Sequence, residues 1–142
     1  MSLSRRDRIL IVEDDALNLE LLQTVLEGAG FDVLGAPDAP SGLDAARRLQ
    51  PDAILMDLQL PGMNGLEAAQ ALQADPTTAA IPLIAVTAHV KRDDEAQCLA
   101  AGFVRHIAKP VDTRSLPGML REIIAAGRTA APAAEAAKGG KT

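Results

Sequence analysis

The chain has 142 residues, 48% of them hydrophobic and 23% charged, which is the composition of a globular protein with one substantial core. Its formal net charge of −5 and its lack of Trp and Tyr argue against nucleic-acid binding through a basic surface or through aromatic stacking. No apolar run approaches the ~20 residues that span a bilayer. Cys98 is the only cysteine, so we expect a soluble, cytoplasmic protein without an internal disulfide.

The first half of the chain alternates apolar runs with amphipathic segments. Ile9 to Val12 predicts a strand that ends at the acidic run Glu13 to Asp15. Apolar residues then recur at helical spacing from Leu19 to Ala29, and Gly30 ends this helix. The same alternation predicts, in chain order, a strand over Phe31 to Ala36, a helix over Ser41 to Leu49, a strand over Ala53 to Met56 that runs into Asp57, and a helix over Leu66 to Leu72.

The second half continues the alternation. It predicts a strand over Ile81 to Val86 that runs into Thr87, a polar helix over roughly Arg92 to Ala101, a strand over Val104 to Ala108, and a helix over Leu116 to Ala126 with Pro117 in its first turn. Strands that alternate with helices in this way predict an α/β fold whose parallel sheet is covered on both faces. We expect residues 1–7 to be an N-terminal extension, residues 8–126 the domain, and residues 127–142 a flexible tail or a linker.

Polar residues follow four of the predicted strands, at the edge where ligands bind in an open parallel sheet. They are Glu13, Asp14 and Asp15 after the first strand, Asp57 after the third, Thr87 after the fourth and Lys109 after the fifth. Converging carboxylates repel one another unless their pKa values rise or a divalent cation joins them, and oxygen ligands of this kind favour Mg²⁺. A lysine and a hydroxyl beside them complement the oxygens of a phosphoryl group, so Asp57 is the natural nucleophile for an acyl phosphate.

These motifs together resemble the response-regulator receiver domains of bacterial two-component systems, from about Arg8 to about Ala126. The runs that carry the resemblance are Ile9-Leu10-Ile11-Val12-Glu13-Asp14-Asp15, Ile54-Leu55-Met56-Asp57-Leu58-Gln59-Leu60-Pro61-Gly62-Met63-Asn64-Gly65, Ile84-Ala85-Val86-Thr87-Ala88 and Lys109-Pro110. The resemblance implies a doubly wound, flavodoxin-like sheet of five parallel strands in the order 2-1-3-4-5. The chain is most similar in type to stand-alone receivers of the cell-cycle or chemotaxis kind, although a receiver from a hybrid kinase is the alternative.

The resemblance also implies residue roles. Asp57 would accept the phosphoryl group, Asp14 would bind Mg²⁺ directly, Glu13 would bind it through water, and the Gln59 carbonyl would be a further contact. Thr87 and Lys109 would hold the phosphoryl oxygens, with a cis bond between Lys109 and Pro110.

A conformational switch is implied as well. Thr87 would move towards the phosphoryl group while the strand-five side chain, here His106 in place of the usual Tyr or Phe, would turn inward. Gln59 and His89 occupy the positions that influence hydrolysis of the acyl phosphate. The expected partners are a sensor histidine kinase or histidine phosphotransferase, and an output protein on the face made by helix 4, strand 5 and helix 5, with no direct DNA binding and no membrane insertion.

Simpler interpretations stay open for individual residues. The acidic run at Glu13 can be a solvated loop or a helix cap, Asp93 to Glu95 can stabilise a helix start, and His106 can be a passive strand residue. Three other functions are open for the chain. One is a haloacid-dehalogenase-type phosphatase, although Gln59 stands where that family usually has an acid. The others are a flavodoxin-like cofactor binder, although the chain lacks aromatic residues to sandwich a flavin, and a phosphate-insensitive scaffold.

Overall fold

The centre of the molecule is a five-stranded parallel sheet with strand order β2-β1-β3-β4-β5. A computed structural model describes residues 6–60, 62, 65–87 and 99–127. Its strands are β1 (Arg8–Val12), β2 (Asp32–Ala36), β3 (Ala53–Asp57), β4 (Leu83–Thr87) and β5 (Phe103–Ala108). The predicted doubly wound α/β fold is therefore confirmed, including its strand order.

Helices connect the strands. They are α1 (Ala16–Gly28), α2 (Ala39–Leu49) and α3 (Gly65–Ala74), and residues 116–127 form a further helix that we call the C-terminal helix. Residues 99–100, at the end of the predicted fourth helix, are helical, whereas the rest of that helix lies outside the described residues. Gly127, predicted as the start of the tail, is still helical, and residues 128–142 also lie outside the described part of the chain.

Local capping explains where the helices begin and end. The side chain of Asp15 accepts hydrogen bonds from the N–H groups of Leu17 and Asn18, so α1 begins directly after the acidic run. Asp38 caps α2 in the same way, and this helix starts earlier than predicted because proline is tolerated in a first helical turn. Gly30 has a φ of +100°, which is the left-handed conformation expected after a helix end.

Successive residues of the central strands point to opposite faces of the sheet and enter two separate cores. Leu10, Ile54 and Met56 belong to the core beneath α2 and α3. Their strand neighbours Ile11 and Leu55 belong to the other core, which α1 and the C-terminal helix cover. Because both faces are covered, all five residues of β3 and of β4 are buried.

The edge strand β5 departs from this pattern. Only Phe103 is buried there, and Val104 and Arg105 are exposed. The register between β4 and β5 also shifts between Leu83 and Ile84, which turns the start of β5 relative to its neighbour.

No described helix combines the length and apolar character needed to cross a bilayer.

Candidate functional site

The sheet gathers the predicted site residues at the carboxyl ends of its strands. Glu13 follows β1, Asp57 ends β3, Thr87 ends β4 and Lys109 follows β5. Glu13, Asp57 and Thr87 are each only 3% exposed, whereas Asp14 is exposed. The site is thus a polar floor, built at the end of buried strands, with one acidic side chain at its rim.

Three carboxylates converge at this floor. Glu13, Asp14 and Asp57 each offer an oxygen, and these oxygens all lie within 4.8 Å of one another. Glu13 Oε2 accepts the backbone N–H of Asp15 at 3.1 Å, which fixes this side chain in place. Asp15 itself does not join the cluster, because its side chain caps α1. The helix-cap alternative thus holds for Asp15 and fails for Glu13.

Both carboxylate oxygens of Asp57, the candidate phosphoryl acceptor, accept hydrogen bonds. Its Oδ1 atom accepts the backbone N–H of Gln59 at 2.8 Å, and its Oδ2 atom accepts Lys109 Nζ at 2.8 Å. The backbone at Gly65 passes close beneath, since a Cβ atom built there would lie 2.8 Å from the Asp57 carbonyl oxygen. Glycine at this position therefore lets α3 start directly under the acceptor.

Lys109 contacts three of the other residues of the site. Its ammonium lies 2.8 Å from Asp57 Oδ2 and 3.2 Å from Glu13 Oε1, and its backbone N–H donates to the Thr87 carbonyl at 2.9 Å. The bond between Lys109 and Pro110 is cis, as the family resemblance implied. One cation thus serves two buried carboxylates, with the shorter contact to Asp57.

Burial and the charges of the site shift two pKa values upward. Burial raises the pKa of Glu13 from 4.5 to about 6, and the hydrogen bond and charge of Asp57 act in the same direction, against the Asp15 N–H and Lys109. For Lys109, burial lowers the pKa, but the hydrogen bond and charge of Asp57 and the charge of Glu13 outweigh it, so that the net shift is upward. The site therefore keeps its ammonium charged and holds excess negative charge, which a cation would relieve.

The two predicted switch residues lie on neighbouring strands. Thr87 is buried at the end of β4, where it pairs with Ala108 of β5. His106 pairs with Ala85, is partly buried, and has its Nε2 atom screened from solvent. His89, Asp93 to Glu95 and Cys98 lie outside the described residues.

A cleft beside the site was not anticipated from the sequence. Asn18 and Leu21 of α1 line it together with Glu13 and Lys109. The helical spacing from Asn18 to Leu22 was the available signal, since it places a polar side chain one turn from a buried leucine on the same face.

The model of the response regulator receiver domain family matches residues 9–121. The chain belongs to this family. A receiver domain is a phosphoacceptor signalling module of two-component systems that interacts with histidine kinases, and it is not an enzyme in the ordinary sense. The predicted family and function class are therefore confirmed, and the pocket of Glu13, Asp14, Asp57 and Lys109 is typical of that class.

Curated relatives of this receiver domain fall into two kinds. The DNA-binding response regulator MtrA of Mycobacterium tuberculosis H37Rv is 40% identical over 116 residues, which are 82% of this chain and 50% of MtrA. The chain thus spans about half the length of this relative. The polar-differentiation response regulator DivK of Brucella anthropi is 37% identical over 115 residues, which are 81% of this chain and 91% of DivK.

Solved structures agree with this fold. A CheY-like receiver domain protein from Methanospirillum hungatei JF-1 has a TM-score of 0.82 and 29% identity, and the match covers 88% of this chain and 98% of that one. The receiver domain of the sensor histidine kinase PA1611 from Pseudomonas aeruginosa PAO1 has a TM-score of 0.79 and 32% identity over 85% of this chain and 99% of that one. That structure has a magnesium ion coordinated in its active-site cleft.

Proposed function

We propose that this receiver domain takes a phosphoryl group from a histidine kinase or histidine phosphotransferase onto Asp57. The observation that carries the proposal is the meeting of three carboxylates with one ammonium at the end of the sheet. Among them, Asp57 is buried and has both oxygens fixed, by Gln59 and by Lys109. A nucleophile held in this way needs little further ordering before it attacks phosphorus.

Mg²⁺ fits the donor set of the site. Carboxylate oxygens of Glu13, Asp14 and Asp57 lie within 4.8 Å of one another, and Mg²⁺ prefers oxygen ligands in this number. We propose that these three residues hold the ion, with Glu13 acting through water and the Gln59 carbonyl as a further contact. When bound, the ion supplies positive charge that offsets the negative charge of the phosphoryl oxygens. The magnesium in the PA1611 receiver supports this assignment.

The side chains of Asp57, Lys109 and Thr87 have separate roles in the phosphoryl transfer. An Asp57 carboxylate oxygen attacks phosphorus and forms a bond to it. The bond between phosphorus and the donor atom breaks, and the donor atom keeps the electron pair. Lys109, already within 2.8 Å of Asp57, stays charged and stabilises the phosphoryl oxygens. The Thr87 hydroxyl is the further group that we assign to these oxygens, because Thr87 ends β4 beside the acceptor strand.

We further propose that phosphorylation changes partner binding through Thr87 and His106. Thr87 and Ala108, and likewise Ala85 and His106, are register partners in β4 and β5, so a movement at Thr87 can reach the edge strand. The exposed residues Val104 and Arg105 place part of β5 on the surface. The proposed output surface is the face made by the predicted fourth helix, β5 and the C-terminal helix.

The domain limits and the location also remain proposals. The family match over residues 9–121 supports a receiver domain within the proposed residues 8–126. The family supports a cytoplasmic location.

Intact-mass spectrometry after incubation with acetyl phosphate tests the proposed function. We expect one phosphoryl adduct in the presence of Mg²⁺, and none with a chelator or in an Asp57→Asn variant. The Asp52→Asn variant, which changes another carboxylate at the opposite end of the β3 strand, should still be labelled. Absence of an adduct in the wild type, while a receiver of known activity is labelled in parallel, would favour the scaffold alternative.

A further inference from the structure

A cleft that we call the β5 cleft lies at the amino ends of β4 and β5, at the opposite edge of the sheet from Asp57. The segment before β4, the first residues of β5 and the end of the C-terminal helix line it. Its volume is about 450 Å³, and ligand pockets in proteins measure roughly 300–1,000 Å³. It shares no lining residue with the cleft beside the acceptor site, so a ligand bound here would lie apart from the phosphoryl transfer.

A bulge in β5 gives this cleft two adjacent side chains of the strand. β4 pairs Leu83 with Phe103 and Ile84 with Arg105, so Val104 is an extra residue in β5. In a regular strand, successive side chains point to opposite faces of the sheet. Here Val104 and Arg105 are both exposed, and both line the β5 cleft. The bulge therefore brings an apolar side chain and a charged side chain together in one site.

The polar groups of the cleft match a ligand with a single negative charge. Arg105 is the only charged residue among the described residues that line it, and none of the ion pairs between described residues involves Arg105. Gln73 adds a neutral amide, whose Cδ atom would lie 2.7 Å from a Cβ atom built at Gly102. A planar carboxylate can accept two parallel N–H bonds from a guanidinium, which makes it the anion that suits Arg105 best.

Most of the remaining wall is apolar, with Ile81, Pro82, Val104 and Ile123 as its larger side chains. A smaller cleft of about 230 Å³ continues from the β5 cleft. The residues that line both clefts are Ala80, Ile81, Pro82 and Gly127. Asp52 lines only the smaller cleft, and its carboxylate repels an anion. The carboxylate of a ligand therefore belongs at Arg105, and its apolar part belongs along Ile81 and Pro82.

We propose that the β5 cleft binds an amphipathic monocarboxylate, an organic acid with one carboxylate and an apolar chain. Arg105 pairs with the carboxylate, the Gln73 amide donates a further hydrogen bond to it, and Val104 and Ile81 contact the chain. Polyanions such as nucleotides do not match, because a single cation leaves their other charges against an apolar wall. This inference does not depend on phosphorylation of Asp57, since the two sites lie at opposite edges of the sheet.

Octanoate, kept below the concentration at which it forms micelles, is the probe. Isothermal titration calorimetry measures its affinity, and amide chemical shifts in NMR spectra locate it. Octan-1-ol has the same chain without the charge, octylamine has the opposite charge, and butyrate has the same carboxylate on a shorter chain. We expect saturable binding of octanoate with the largest shifts at Val104 and Arg105. Each of the other three compounds should bind about fivefold more weakly or worse, because each lacks one of the matching groups.

Variants of Arg105 test the proposed ion pair. Arg105→Gln should lower the octanoate affinity about fivefold or more, to that of octan-1-ol, and should leave octan-1-ol binding within about twofold. Arg105→Lys keeps the charge without the planar fork and should recover part of the affinity. Arg114→Gln is the matched control, because Arg114 is also exposed and lines none of these clefts.

A variant of the C-terminal helix tests the apolar part of the site. Ala126 is exposed and lines the β5 cleft, so Ala126→Leu fills the cleft without disturbing the core. Octanoate and octan-1-ol should then both bind about fivefold more weakly or worse, because the chain loses its place on the apolar wall. Ala125→Leu makes the same exchange at the neighbouring exposed residue, which does not line the cleft, and should leave both affinities within about twofold.

The other outcomes overturn the proposal. If octanoate does not bind saturably, or binds no better than octan-1-ol, the cleft does not select a carboxylate. If Arg105→Gln acts like Arg114→Gln, or Ala126→Leu acts like Ala125→Leu, the ligand lies elsewhere on the molecule. The Asp57→Asn variant should bind octanoate as the wild type does. Failure of phosphorylation therefore leaves this inference standing, and failure of octanoate binding leaves the proposed function standing.

Discussion

The Lys109 ammonium lies 2.8 Å from Asp57 Oδ2 and 3.2 Å from Glu13 Oε1, so one lysine bridges the acceptor and a proposed metal ligand. Both carboxylates are 3% exposed, and a charge removed from such a place leaves buried partners without compensation. In the proposed function the same ammonium would therefore have two opposed effects, since it would assist the phosphoryl group and compete with a cation for the same carboxylates.

Replacing Lys109 with Met should separate these two effects. We expect the rate of phosphorylation by phosphoramidate to fall about 10²–10³-fold, as when one donor of an oxyanion site is removed. Mg²⁺ affinity, measured by isothermal titration calorimetry, should rise, because a competing positive charge is lost. Lys109→Arg keeps the charge but not the point-like ammonium, and should recover only part of the rate. Weaker Mg²⁺ binding in Lys109→Met would show that the lysine organises the metal site and does not compete with it.

Replacing Glu13 with Gln should stabilise the metal-free protein at high pH. The pKa of Glu13 rises from 4.5 to about 6 on folding. The contribution of this group to the free energy of unfolding is therefore greatest below about pH 4.5, and it is lost as the pH rises through about 6. The neutral amide avoids this loss. Glu13→Gln should thus be up to about 2 kcal/mol more stable than the wild type at pH 8, with the difference vanishing near pH 4.5.

Urea unfolding in the presence of a chelator measures this difference. Glu20→Gln, on the exposed side of α1, is the control and should show little change at either pH. Under excess Mg²⁺ the order should invert, because the wild type gains more from a bound ion than a variant that lacks one ligand. A variant less stable than the wild type at pH 8 without metal would contradict the assigned direction.

Most of the fold and the positions of the site were predictable because their signals are local. Four of the five strands are apolar runs that lead into a polar residue, and parallel strands must bring Glu13, Asp57 and Lys109 to one edge. Three features depend on packing and could not be predicted in this way. Lys109 shares its charge between two carboxylates, the burial of Glu13 raises its pKa, and Asn18 faces a cleft.

The acidic run from Glu13 to Asp15 shows a limit of prediction from sequence patterns. Glu13, Asp14 and Asp15 are neighbours of one chemical type, yet two join the acidic cluster and the third caps α1. The division follows from the direction in which the backbone turns after β1. Residue types alone carry no information on that direction.

Replacing Asp15 with Ala tests this division. The variant loses the side-chain acceptor for the N–H groups of Leu17 and Asn18, which should cost about 1 kcal/mol of stability. Asp15→Asn keeps an acceptor and should recover most of this loss. Phosphorylation should continue in both variants, since the Asp15 contact to Glu13 comes from the backbone N–H. Loss of the phosphoryl adduct in a folded Asp15→Ala protein would place this carboxylate in the site after all.

Replacing Gly65 with Ala should damage both the fold and the acceptor. The added Cβ would lie 2.8 Å from the Asp57 carbonyl oxygen and 2.8 Å from Leu58 Cα, and these backbone atoms cannot move without moving the acceptor. We expect a loss of about 1–3 kcal/mol in urea unfolding, together with slower phosphorylation in the protein that remains folded. Gly28→Ala is the matched control, because no atom lies within 4 Å of its added Cβ at the end of α1. That variant should gain about 0.4–1 kcal/mol of stability and keep its phosphorylation rate. If the two variants behave alike, helix propensity, and not contact with the acceptor strand, determines the effect of the Gly65 substitution.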